Sequence, residues 1–162
     1  MPVMKNVKSL RWLLLFVPVL ISGCKKDDPY DAEAQLQKDE EQIKNYLTAN
    51  NILAERHSSG VYYVISEPGE GDVTYAGSTN VKVTYTLSLL GGEVIPQTTE
   101  PITFALGGVI VGWQIGIPLI QKGGKIRLFI PSGYAYGPRS QGNIPANSIL
   151  DFEIDLLDVI VN

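Results

Sequence analysis

The stretch from Val109 to Ile160 decides the fold. It opens as VIVGWQIG at 109–116 and continues as KGGKIRLFIPSGYAYGPRSQGNIPANSILDFEIDLLDVI at 122–160. Lys125 to Pro131 and Ile149 to Ile160 read as strands, because β-branched and aromatic residues alternate there with polar ones. In the second strand Asp151, Glu153 and Asp155 alternate with Phe152, Ile154 and Leu156. That parity predicts a solvated face carrying all three carboxylates. Trp113 to Ile120 is the one helical candidate in the stretch. Gly112, Gly116 and Pro118 weaken it, so it should be short and held by packing. Gly112-Trp113, Tyr134-Ala135-Tyr136-Gly137, Ile144-Pro145 and Phe152 together offer aromatic surface and phenol hydroxyls, with no acid, base or nucleophile among them. Such a set suits a reaction that makes and breaks no covalent bond.

Working outward, Val61 to Ile65 and Val81 to Leu87 are further strands, and Ile102 to Leu106 is a short one. Glu67 to Gly71 and Gly91-Gly92 are turns. The expected class is α+β, with an antiparallel sheet curled around one short helix. Asp31 to Asn51 precedes it as a helix. Leu36, Ile43 and Leu47 recur at spacings of seven and four, Asp31 is the expected N-cap, and Asn50-Asn51 is the stop. The stripe is narrow and serves equally for docking on the domain or on a second copy. Residues 31–57 form this helical segment, and residues 58–162 are expected to fold on their own.

Several chemistries have no residues to carry them. The chain holds one histidine, His57, and one cysteine, Cys24, which leaves no ligand set for zinc and no intrachain disulfide. No serine sits in a nucleophile motif, and the glycine pairs 107–108 and 123–124 match no phosphate-binding pattern. No cofactor is implied. Setting aside residues 1–23, which carry three of the 13 Lys+Arg and no acid, leaves 10 basic against 17 acidic residues, a net charge of −7. That balance argues against a nucleic-acid partner.

The spacing of Val109-Ile110-x-Gly112-Trp113, Tyr134-Ala135-Tyr136-Gly137 and Ile144-Pro145 through Phe152 resembles the FKBP-type peptidyl-prolyl cis-trans isomerase domain, over roughly Gly60 to Val161. The resemblance implies an FKBP-like fold and proline-containing polypeptides as substrates. It places Trp113 as the floor under the proline ring, and Tyr136 as the hydroxyl that hydrogen-bonds a substrate carbonyl. Ile110 lends its backbone N–H to substrate. Tyr85, Ile95, Ile102, Phe104, Val109, Tyr134, Ile144 and Phe152 supply the remaining lining. Ile95-Pro96 stands where the family carries an aromatic followed by an aspartate, and Ile102 replaces a second aromatic. The missing carboxylate predicts weakened catalysis. The alternative is a module that binds proline segments without turnover.

The N-terminus reads as a targeting segment. Lys5, Lys8 and Arg11 precede the ten-residue apolar run Trp12–Ile21, which spans roughly 15 Å as a helix, half of a membrane core. Leu20-Ile21-Ser22-Gly23-Cys24 resembles a bacterial lipobox. The resemblance implies a signal peptide over 1–23, lipidation of Cys24, a tether over 24–30 and a membrane anchor in the cell envelope. Lys25-Lys26-Asp27-Asp28 resembles the surface-export signal of lipoproteins in Bacteroidetes-type bacteria, which would place the domain on the outer membrane, facing outward.

Overall fold

The computed structural model describes residues 30–96 and 98–161. The expected signal peptide, Cys24 and all of the tether except Tyr30 lie outside the described residues.

Helix α1 runs Ala32–Ala49. The Asp31 carboxylate accepts the N–H groups of Glu33 and Ala34, both at 3.0 Å, and so satisfies two donors that the first turn leaves over. At the other end Asn51 adopts φ 55°, and the N–H groups of Asn51 and Ile52 donate back to Thr48 and Leu47. This closes the helix as a Schellman motif, with asparagine in the left-handed position usually taken by glycine.

Among the described residues seven strands follow in one antiparallel sheet: β1 Glu55–Arg56, β2 Tyr62–Glu67, β3 Asn80–Leu89, β4 Val94–Ile95, β5 Ile102–Ala105, β6 Lys125–Ile130 and β7 Leu150–Ile160. Their spatial order is β1-β2-β6-β7-β3-β4, and β5 also pairs with β3. The long pair β3–β7 runs from Asn80 opposite Ile160 to Leu89 opposite Leu150. Its register slips between Lys82 and Val83, leaving Leu157 as an extra residue on β7. A bulge of this kind sharpens the local twist and helps the sheet to curl.

The curled inner face packs on helix α2, Val111–Gly116, which continues into a 3₁₀ turn at Ile117–Leu119. The helix is therefore shorter than the sequence predicts and begins two residues earlier, ahead of Trp113. A Cβ on Gly112 would lie 2.4 Å from Ile130 Cγ2, and one on Gly116 would lie 2.5 Å from Leu128 Cδ1. The two glycines thus let α2 lie almost against the β6 side chains. Val81, Val83, Ile117, Leu128, Ile154 and Leu156 fill the core between helix and sheet.

On the outer face α1 covers one end of the sheet. Ile43 and Leu47 pack with Tyr62, Phe129 and Ile149. Of the two docking targets open to its stripe, the helix takes the domain. Glu40 adds a forked pair to Arg56 at 2.6 and 2.9 Å, tying α1 to β1. The solvated carboxylate face predicted for β7 needs correction. Glu153 is exposed, but Asp151 is buried and accepts two hydrogen bonds from Arg127, at 2.9 and 2.7 Å. The Arg127 guanidinium also lies 4.9 Å from the centre of the Phe129 ring.

Candidate functional site

Trp113 is set by α2, which points it at the open end of the curled sheet. Three rings surround it edge-on: Tyr85 from β3 at 5.1 Å, Phe152 from β7 at 5.3 Å and Phe104 from β5 at 5.8 Å between centroids. Their interplanar angles, 79–87°, are those at which the positive ring edge meets the negative ring face. Tyr85 and Phe152 also touch each other at 5.8 Å. The indole so fixed lines a cavity of about 550 Å³, a size suited to a small group such as a proline and its neighbours. Its Nε1–H is buried and has no hydrogen-bond partner among the described residues.

The cavity walls come from four further places. Gly108, Val109 and Ile110 form the approach to α2, Ile95 and Pro96 the end of β4, Tyr136 the loop after β6, and Gln141 to Ile144 the bend before β7. Ile110 is the N-cap of α2, so its own N–H lies outside the helical hydrogen-bond ladder. Gln114 Nε2 donates to the Val109 carbonyl at 2.8 Å and steadies that approach. Gln141 and Ile144 exchange backbone hydrogen bonds, both 2.9 Å, which pins Ile144 against the cavity. Among the described residues, no side chain lining the cavity bears a formal charge. Burial, and after it the neighbouring Tyr136 phenol, push the Tyr85 hydroxyl above its usual range.

Of the site residues read from sequence, Tyr85, Ile95, Phe104, Val109, Ile110, Trp113, Tyr136, Ile144 and Phe152 meet in this one cavity. Ile102 and Tyr134 do not line it. Ile102 lies one β5 alternation away from Phe104, and Tyr134 packs on the core beneath the loop that carries Tyr136. Leu87, Gly108 and Gln141 to Asn143 line the cavity without having been expected there. Leu87 was within reach, since it shares the parity of Tyr85. The two amides sit in a loop without periodicity and gave no signal. Pro96 stands at the cavity edge, and His57, bonded to Ser59 Oγ at 2.9 Å, does not line it.

The model of the FKBP-type peptidyl-prolyl cis-trans isomerase family matches residues 71–157, a span that contains every residue lining the cavity. The chain is 35% identical to the FKBP-type peptidyl-prolyl cis-trans isomerase FkpA of Buchnera aphidicola (subspecies Schizaphis graminum), over 91% of this chain and 68% of that one. To FkpA of Escherichia coli K12 it is 38% identical over 79% of its own length, but it spans only half of the relative's. A crystal structure of a peptidyl-prolyl cis-trans isomerase from Pseudomonas syringae superposes with a TM-score of 0.65 at 28% identity, covering 83% of this chain and 99% of that one.

Proposed function

The chain belongs to the family of FKBP-type peptidyl-prolyl cis-trans isomerases, and from that premise we propose that it accelerates rotation about Xaa-Pro bonds without forming a covalent intermediate. The observation that carries the proposal is the uncharged cavity floored by Trp113 and boxed by Tyr85, Phe104 and Phe152. The barrier to rotation is ~18–20 kcal/mol and arises from amide resonance. A planar amide is polar and well solvated, whereas the twisted one has lost part of its charge separation. A dry aromatic wall withholds solvation from the planar form. The Ile110 N–H and the Tyr136 hydroxyl then hold the flanking carbonyl groups in the twisted geometry, so the site binds the transition state more tightly than either ground state. Tyr136 is half-buried in the cavity lining, where a substrate carbonyl can accept its hydroxyl.

The test is exchange spectroscopy by NMR on a proline peptide. The expected result is a cis/trans exchange rate that rises in proportion to added protein. A rate equal to the uncatalysed one, with the peptide bound, would establish the second reading, a module that holds proline segments without turning them over. Ile95-Pro96 favours that second reading, because it places an uncharged wall at the cavity edge, and Pro96 there has no N–H.

The substrates we assign are polypeptides of the cell envelope, and the anchor is lipid on Cys24. Support comes from the basic start, the apolar run and the Ser22-Gly23-Cys24 order. Acyl chains contribute ~0.8 kcal/mol per buried CH₂, and more than one chain holds a protein durably on a bilayer. Cys24→Ser is expected to move the protein from the detergent phase to the aqueous phase on temperature-induced phase separation. Unchanged partitioning would refute lipidation.

A further inference from the structure

The geometry points to Asp39, on the far face of the sheet, as a positioning residue for Tyr136. The inference rests on the role proposed for the Tyr136 hydroxyl, and it gives α1 a part in the site that the family-matched span does not contain.

Asp39 is a buried carboxylate in the middle of α1, and it lies on the same side of the helix as Ile43. Its Oδ1 accepts from Gln35 Nε2 at 2.7 Å. Its Oδ2 accepts twice from one residue, from the backbone N–H of Ser132 at 2.8 Å and from the Ser132 hydroxyl at 2.6 Å. Ser132 is fully buried at the head of the 3₁₀ turn Ser132–Tyr134, just after β6. Its carbonyl faces the other way along the chain and accepts the N–H of Ala135 at 3.0 Å and of Gly137 at 2.8 Å. Those are the residues immediately before and after Tyr136.

The two peptide planes of Ser132 are thus fixed from opposite sides. One is held by α1, and the other holds both flanks of Tyr136. The two planes meet at the Ser132 Cα, whose φ and ψ are held by the 3₁₀ turn through the bonds of Tyr134 N–H to Pro131 and Ala135 N–H to Ser132, so a shift of the first plane is passed to the second. Hydrogen bonds to a carboxylate are the strong kind, and a buried one replaces water that cannot enter. Gly137 sits at φ 60°, a turn that lets its carbonyl accept the Asn147 N–H at 2.8 Å and closes the loop from its other end. Simple helix docking would be served by an apolar residue at position 39. A carboxylate whose Oδ2 takes both the N–H and the hydroxyl of Ser132 sets the orientation of the turn as well.

The test uses the full-length chain and four proteins: wild type, Asp39→Asn, Tyr136→Phe and the double variant, with Ile43→Val as a control that loosens the same helix without touching Ser132. The readouts are exchange rate per folded molecule, the apparent KM and kcat for a proline peptide, melting temperature, and the NMR amide signals of Tyr136 and Gly137. Asp39→Asn is expected to lower kcat by about two- to ten-fold, no more than Tyr136→Phe does, and to shift both amide signals. In the Tyr136→Phe background the same change should cost almost nothing further, since there is no hydroxyl left to misplace. Ile43→Val should lower the melting temperature and leave turnover per folded molecule as it was. Equal losses for Asp39→Asn with and without the Tyr136 hydroxyl, or an equal loss from Ile43→Val, would overturn the inference in favour of general helix docking. A wild type that turns nothing over would remove the proposed activity, and the amide shifts would then decide the positioning role alone. Should Asp39→Asn fail to fold, Ser132→Ala removes one of the two contacts and is read the same way.

Discussion

The two faces of the sheet are finished differently. β6 shows both within two residues: Leu128 points inward to the α2 side, and Phe129 points outward beneath α1. Outside, Ile43 and Leu47 close over Phe129 and Tyr62, Tyr46 meets the Phe129 ring at 6.1 Å, and the polar groups among them are paired. Inside, an equally aromatic assembly stops short, leaving a cavity of about 550 Å³ and an indole N–H without a partner among the described residues. Interiors normally pack to crystal-like density, with nearly every buried donor satisfied. A face that keeps to those rules contributes stability, and one that departs from them reserves a place for something else. The difference between the faces therefore locates the site without any catalytic side chain to mark it.

The harshest way to break the comparison is to uncover the sealed face. A chain begun at Ser58 loses the burial of Ile43 and Leu47, each worth about 1.5–3 kcal/mol, so stability should fall by on the order of 3–6 kcal/mol. Thermal melting followed by circular dichroism measures it. A truncated chain as stable as the full one would show that the outer cluster adds nothing to the domain.

On the open face the expected effects are on rate. Tyr136→Phe should leave the melting temperature unchanged and cost about 0.5–1.5 kcal/mol in transition-state binding, read as a fall in kcat/KM. A matching fall in melting temperature would mean that the phenol is part of the packing. Smaller still is the change at the cavity edge. Ile95→Phe with Pro96→Asp should raise turnover per folded molecule above wild type at equal stability, and the two adjacent sites should not act additively. No gain from either single variant or from the pair would show that the missing carboxylate is compensated elsewhere around the cavity.

The smallest expected effect concerns pH. The hydrogen-bonded Arg56 guanidinium holds the Glu40 carboxyl below the usual carboxylate range, against an opposing effect of burial. Because the folded-state value is the depressed one, this pair stabilises the docked helix above about pH 4.3, and the contribution fades as pH falls through the lowered value. Glu40→Gln should flatten the acid limb of the stability curve and leave neutral-pH turnover alone. An unchanged acid limb would assign the acid sensitivity to other carboxylates.

Much of this architecture was legible in the sequence, because alternation reports parity along a strand and the spacing of Trp113, Tyr136 and Phe152 resembles a known pocket. The α1 caps were legible for a local reason, since Asp31 and Asn51 act within four residues of themselves. What parity cannot report is what covers a face. It grouped Asp151 with Glu153 and Asp155 as wet carboxylates, whereas Arg127 on the neighbouring strand seals Asp151 in. Nor does it single out Asp39, whose partner Ser132 lies 93 positions away. β1 and β4 are two residues each, too short to have a period at all. Ile102 and Tyr134 missed the cavity by one alternation and by one turn, distances below what spacing resolves.

The strand order has a consequence for the timing of assembly. β7 is the last strand along the chain, yet it sits between β6 and β3 and is what joins the two halves of the sheet. Until residues 150–160 are in place, β1, β2 and β6 form one group and β3, β4 and β5 another, with no ladder between them. Phe152, on that same strand, is also a wall of the aromatic box. Ring closure over such sequence separations is slow, so the fold should appear late and all at once. A growing chain would thus leave the inner edges of both half-sheets unpaired until β7 arrives.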